Sequence, residues 1–225
     1  MQKIKQEFKR ILFNYRNREK KAIIHPNVIF NNKTILHGNN VIYHNTQIND
    51  SVIGYGTYIS KNCRLPNSII GNFCCIGSDV KIVFGQHPIK KYVSMHPAFY
   101  STKRQAGFTY VSNDKFEEHK YVNKESKKSI SIGNDVWIGQ NVLIMEGVQI
   151  ADGSVIGSGA IVTKDTEPFS INLGIPAQIR GYRFSEEQRQ FLSTIKWWEN
   201  CESWLIENNK YFEDVELFYA KFGDC

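Results

Sequence analysis

Long apolar runs are missing from this 225-residue chain. None approaches the roughly 20 residues that cross a bilayer as a helix. The opening stretch, MQKIKQEFKRILFNYRNREKK, has neither the uninterrupted apolar centre nor the small-residue cleavage site of a secretory signal. A cytoplasmic protein is therefore expected. Paired cysteines are missing too: the five (Cys63, Cys74, Cys75, Cys201, Cys225) are odd in number and none stand in CxxC spacing. That gives no support to a disulfide framework or a metal or redox motif, and the thiols read as small buried hydrophobes plus one free terminal group. A strong excess of one charge is absent as well. The net charge is +6, and much of it sits in the first 21 residues, which argues against a general nucleic-acid surface.

What is present is a repeat. Aliphatic residues recur every six positions at Ile132, Ile138, Ile144, Ile150, Ile156 and Val162. The fourth residue of each hexad is Asp135, Asn141, Gly147, Gly153, Gly159 or Asp165, types that tolerate a left-handed backbone, so each hexad carries its own turn. The fifth is Val136, Val142, Val148, Ser154, Ala160 or Thr166, all small or β-branched. The same period runs earlier from Ile24 to Ile82, with two five-residue steps, INDSV and LPNSI, 17 residues apart. One coil of three hexads is about that long, so both shortenings are expected on one corner of a three-sided coil. Six residues make a short strand and a turn, and stacked coils then form parallel strands about 4.8 Å apart. Cys63 and Cys74 fall at the small fifth position, which explains both as scaffold residues.

Three segments stand outside the period. Residues 1–22 read as an amphipathic helix with Ile4, Phe8, Ile11, Leu12 and Tyr15 on one face and cations opposite. Capping of the open first coil is the expected role, with peripheral membrane contact as its alternative. Residues 88–129 form an excursion far longer than an ordinary connection and rich in aromatics, hence ordered and a natural place for a site. Residues 184–225 open with the capping box SEEQ and a helix carrying Phe191, Leu192, Ile195 and Trp198. A second amphipathic helix is expected in YFEDVELFYAKF. Together these helices are expected to cover the exposed end of a solenoid domain spanning residues 23–183.

The motifs FGQHP, SMHPAFYS, IGNDVWIGQNV, GIPAQIRGYRF and IKWWE occur in that order. With the hexads they make the chain resemble the hexapeptide-repeat acyltransferases, specifically the CatB-related O-acetyltransferase and xenobiotic acetyltransferase group, from about Val28 to Trp198. The resemblance implies a left-handed parallel β-helix, a homotrimer with sites between subunits, and acetyl-CoA as co-substrate. Transfer from a thioester to a hydroxyl needs a base, which one imidazole can supply because its ordinary pKa lies near neutrality. His87 matches the family's catalytic histidine. By resemblance Trp137 lies near the thioester, the backbone around Gly157, Ser158 and Ala160 meets the pantetheine, and Lys164 and Arg180 meet the phosphates. His96, Tyr92, Phe99, Tyr100 and Phe108 are expected at the acceptor, a carbohydrate hydroxyl of a bacterial surface polysaccharide or its precursor. An antibiotic acceptor with the same mechanism and a non-enzymatic scaffold are the competing readings. No metal is required: His87, His96 and His119 lack the spacing of a ready ligand set, although some proteins of this fold are zinc enzymes.

Overall fold

The computed structural model describes residues 2–223, with side chains described from Gln6 onward; Cys225 and the side chain of Ile4 lie outside the described residues. The hexads wind into a three-sided parallel β-helix. The chain passes repeatedly from a five-stranded face to an eight-stranded face to a three-stranded face. Each hexad aliphatic points inward, and Ile24, Ile42, Ile59, Ile76, Ile138 and Ile156 stack in one buried column. The interior is a single apolar cluster running from Ala22 to Val162. Asn27, Asn45, Asn62, Asp79, Asp135 and Asn141 turn the corners with φ between 52° and 62°, the role the fourth position predicts.

Both five-residue steps fall on the corner between the three-stranded and five-stranded faces, since Gln47 bridges Arg64 and Ile53 pairs with Ile70 on either side of them. The excursion leaves from that same corner. Strand Lys81–Val83 lies on the three-stranded face, the chain returns as Ile130–Ile132 on the five-stranded face, and Ile132 stacks directly on Ile70. The coil therefore resumes its register undisturbed.

The N-terminal helix Gln2–Arg16 does cap the first coil, but with the opposite face to the one its apolar residues suggest. Gln6 donates to the Val28 carbonyl at 2.9 Å and Arg10 to the Ile24 carbonyl at 3.2 Å. Asn14 pairs with both the N–H and the C=O of Ile24, each at 2.9 Å. The physical reason is that an end coil exposes unpaired backbone groups, which need hydrogen-bonding side chains more than apolar cover. Phe13 alone adds a ring contact, 5.2 Å from Phe30. Phe8, Ile11 and Tyr15 are left facing solvent.

The C-terminal helices also take a different position from the expected one. The strand that closes the far end is Gln178–Tyr182, folded back antiparallel on Ser170–Leu173. The helices Glu186–Ile195, Glu202–Asn208 and Val215–Phe222 instead lie along the corner between the five- and eight-stranded faces. Their contacts run from Lys21 and Asn39, which meet Glu202, to Phe169, packed against Trp198. The corner itself makes the seat. Phe73 and Phe169 hold positive φ and turn outward over Gly56 and Gly153, whose missing Cβ atoms would stand 2.8 and 2.2 Å from those rings. The SEEQ capping box is present, with Ser185 and Gln188 bonded reciprocally, while Trp198 falls in the short 3-10 turn beyond the helix. YFEDVELFYAKF is broken at Asp214, which caps Val215–Phe222.

Candidate active site on the excursion

His87 stands where the chain leaves the coil, and its ring is exposed. Its Nδ1 lies 3.0 Å from the Met95 carbonyl and 2.7 Å from the Tyr100 hydroxyl. With its proton on Nδ1 the ring donates to the Met95 carbonyl, which can only accept, and keeps the Nε2 lone pair free. That is the tautomer of a proton acceptor. His87, Ile89, Ser94, Met95, His96 and Pro97 line an open cleft of ≈ 610 Å³.

The loop that presents this ring has its own small core. Tyr100 is fully buried and packs on His87, Tyr92 and Phe116 at 5.5–6.3 Å between ring centroids. Burial, and then the charge of Glu118, hold its phenol above the ordinary tyrosine value, so it stays protonated. Tyr92 is half-buried beside it and donates to the Lys115 carbonyl at 2.5 Å. The expectation that Tyr100 meets an acceptor is thus corrected: with no exposed surface it holds the histidine instead. His96, Phe99 and Phe108 do reach the outside. His96 stacks on Phe108 at 5.7 Å, and its Nδ1 accepts from the Ala98 N–H at 3.2 Å.

Two carboxylates that the sequence did not single out brace the loop, Glu118 from within it and Glu146 from the coil. Glu118 binds Ser101 at 3.0 Å and Lys103 at 2.9 Å, and its carbonyl accepts from the Gln86 N–H beside His87. Burial opposes its ionisation, but those two donors and the charge of Lys103 outweigh it and hold the carboxyl below its ordinary value. Glu146, buried on the next coil, accepts from Gly85 at the loop exit (3.0 Å), from Ser129 at its return (3.1 Å), and lies 3.1 Å from His119 Nδ1. One side chain thereby clasps both ends of the excursion. A glutamate beside a turn glycine carries no sequence signal of such a role.

The other candidates lie elsewhere on the prism. Trp137 is 57 % exposed on the eight-stranded face, between Cys75 and Val155. Gly157, Ser158 and Ala160 form the corner between the eight- and three-stranded faces. Gly159 there has φ +74 and open space where a Cβ would point, so this corner can be approached closely from outside. Gly157 has a packing reason, since a Cβ would meet Leu173 at 2.3 Å. Ala160 is buried, with its N–H bonded to Gly157 and its carbonyl to Leu143, so its backbone is already engaged within the coil. Arg180, on the closing strand, and Lys164 have no hydrogen-bond or ion-pair partner among the described residues. Trp137, Ser158 and Arg180 share one side of the prism, whereas Lys164 sits on the excursion corner. No single chain brings all of them to His87. The three histidines His87, His96 and His119 do not converge, and no group of three or more potential metal-holding side chains occurs among the described residues.

The two cysteines of the coil interior are inert by burial. Cys63 is pushed up to about 11 and Cys74 to about 12, chiefly by desolvation. Neither is a thiolate nucleophile near neutral pH.

Residues 129–164 match the bacterial transferase hexapeptide (six repeats) family. A chloramphenicol acetyltransferase of Escherichia coli is 38% identical over 144 residues, covering 63% of this chain and 62% of that protein. The matched segment thus spans less than two thirds of that relative. A chloramphenicol acetyltransferase of Agrobacterium fabrum is 31% identical over 180 residues, covering 79% of this chain and 78% of that protein. Among solved structures, the acetyltransferase domain of PglB from Neisseria gonorrhoeae, in complex with acetyl coenzyme A, superposes with a TM-score of 0.50 at 14% identity, over 71% of this chain and 57% of that one.

Proposed function

We propose that this chain, which belongs to the hexapeptide-repeat acyltransferase family and its CatB-related group, is an acetyl-CoA-dependent O-acetyltransferase acting on a carbohydrate hydroxyl of a bacterial surface polysaccharide or its precursor. The observation that carries the reading is the placement of His87, its Nδ1 held by the Met95 carbonyl and the Tyr100 hydroxyl and its exposed ring lining an open cleft. Bound acetyl-CoA supplies a thioester already activated for transfer. The open corner at Ser158 and Gly159, together with the unpaired Arg180, suits the pantetheine and phosphate parts of that molecule.

His87 Nε2 takes the proton of the acceptor hydroxyl as its oxygen attacks the acetyl carbonyl, a role worth roughly 10²–10⁴ in rate. Tyr100 and the Met95 carbonyl keep the ring turned so that Nε2 faces the cleft. Direct attack on the activated thioester requires no acetyl-enzyme, and the buried, protonated thiols of Cys63 and Cys74 take no part in it. Because Trp137 and Arg180 lie on a different side of the prism from His87, the complete site is read as shared between neighbouring subunits of a left-handed, three-fold assembly.

The acceptor is read from the loop surface. Phe99, Phe108 and Tyr110 are 46–71 % exposed around His96, and sugars offer apolar C–H faces to such rings. The antibiotic reading stays as the second, favoured by the relatives' names. Thiol release from acetyl-CoA, measured with a panel of oligosaccharides and with chloramphenicol, decides between them. His87→Gln should lower kcat about a hundredfold or more with acetyl-CoA affinity nearly unchanged. His96→Ala should lose far less. Turnover of chloramphenicol with none on any saccharide would overturn the carbohydrate acceptor, and an active His87→Gln would overturn the base.

A further inference from the structure

We propose that the N-terminal helix is a peripheral anchor that lays its outer face on an anionic membrane surface. The helix is amphipathic in reverse. Its polar line, Gln6, Arg10 and Asn14, is spent on the backbone of the first coil, while Phe8, Ile11 and Tyr15 stand 56–76 % exposed on the outside. These three recur at the i, i+3, i+7 spacing of one helical stripe. Large side chains left this exposed among the described residues need an external partner to leave water.

Charge selects the partner. Lys9 and Arg16 stand along one edge of the helix, where it meets the first coil at Phe30 and Asn31, Arg18 and Lys20 follow just beyond the helix, and none of the four has an ion-pair partner among the described residues. Glu7, in contrast, is neutralised by Arg10. A shallow apolar stripe bordered by free cations matches a bilayer interface rich in acidic headgroups. A second copy of the chain fits less well. Three side chains fall far short of the roughly 1,200 Å² that a stable protein interface buries, and the cations would face their own kind across a two-fold. The helix also sits on the first coil, at one end of the stacked strands.

The inference does not depend on the reaction proposed above, and its test is read separately. Full-length protein is sedimented with vesicles of phosphatidylglycerol and phosphatidylcholine, and with phosphatidylcholine alone, across a salt series. Binding is expected to the acidic vesicles, at least tenfold stronger than to neutral ones, and to weaken as salt rises. Phe8→Ser with Ile11→Ser, and separately Lys9→Glu with Arg16→Glu, should each lower binding about tenfold or more. Circular dichroism and thiol release with a soluble acceptor should stay as in the wild type. Equal binding by wild type and both variants, or no binding to any vesicle, would overturn the proposal. So would a change of oligomeric state in the Phe8→Ser, Ile11→Ser variant, which would assign the stripe to a second copy.

Discussion

The coils before and after the excursion keep one architecture with two different interiors. Before it, the small inward position is mostly polar, Val28 and Val80 excepted: Thr34, Asn40, Thr46, Ser51, Thr57 and Cys63 each donate to the carbonyl 14 residues on. Cys74 does the same to Gly133 across the gap left by the loop. After it, Val136, Val142, Val148 and Ala160 fill the position with no donor, and Ser154 is the exception, donating to the Glu167 carbonyl at 3.1 Å. The difference goes with coil length. Early coils step mostly by 17 residues, as Val41 to Tyr58 to Cys75, and later ones by 18, as Trp137 to Val155. Apolar contact is non-directional and is content wherever volume is filled, whereas a hydroxyl is satisfied only when it meets its carbonyl. The lesson is that an irregular stack fixes its register with directional rungs, and a regular one does not need them.

Three experiments break or sharpen that contrast. The largest effect tests what the halves share. Gly153→Ala would drive a Cβ to 2.2 Å from the Phe169 ring at a φ of +66, and Gly56→Ala to 2.8 Å from Phe73 at +71. Overpacking and left-handed strain together predict a loss of about 2–5 kcal/mol for Gly153→Ala. Gly56→Ala should lose less. Chemical denaturation checks it, and an unchanged midpoint for either variant would show that the aromatic corner gives way freely.

Next comes the rung itself. Thr57 donates to Gly71 at 2.7 Å and accepts from the Cys74 N–H at 2.9 Å. Thr57→Val strands both backbone groups and should cost about 1–3 kcal/mol. Thr57→Ser should cost less, although it removes a methyl group. If valine is tolerated as well as serine, the rungs are mere packing and the comparison fails.

The smallest effect is one of pH. Cys63 and Cys74 are held at about 11 and about 12 in the fold, above the ordinary thiol value of about 8.5. Above that ordinary value the unfolded chain loses these protons first, so stability is full below it and declines as pH rises towards 12. Urea midpoints from pH 8 to 10.5 should fall, and Cys63→Ala with Cys74→Ala should flatten the fall. Exposed Cys201, whose pKa is lowered by Ser203, should meanwhile react first with a thiol reagent.

The fold was largely legible because its signal is local and repeated. Ile132 to Val162 announces the period, and the two short steps 17 residues apart announce the corner they share. His87 was singled out through its motif, and the fold sets it at the loop exit against Met95 and Tyr100. What was hidden depends on partners distant in sequence. The face that the first helix turns inward is set by the bare backbone at Ile24 and Val28, which no helical wheel displays. Tyr100 reads as one more aromatic until its hydroxyl is seen on His87. Glu146 looks like a solvated turn residue, and its meaning lies in Gly85, 61 positions earlier. The helices beyond Ser185 were foreseen as elements but not in place, because the groove that seats them is made by two phenylalanines and two glycines from separate coils.

The clasp at Glu146 makes the excursion a cassette. Its two ends are pinned a few ångströms apart by a residue outside it, and the coil continues on Ile132 as if nothing had been inserted. Closure entropy grows only as the logarithm of loop length, about 0.6 kcal/mol per doubling. A lineage could lengthen, shorten or exchange the whole segment between Gly85 and Ser129 and leave the prism wound as before. On the function proposed above, acceptor choice would then drift quickly while the scaffold stood still.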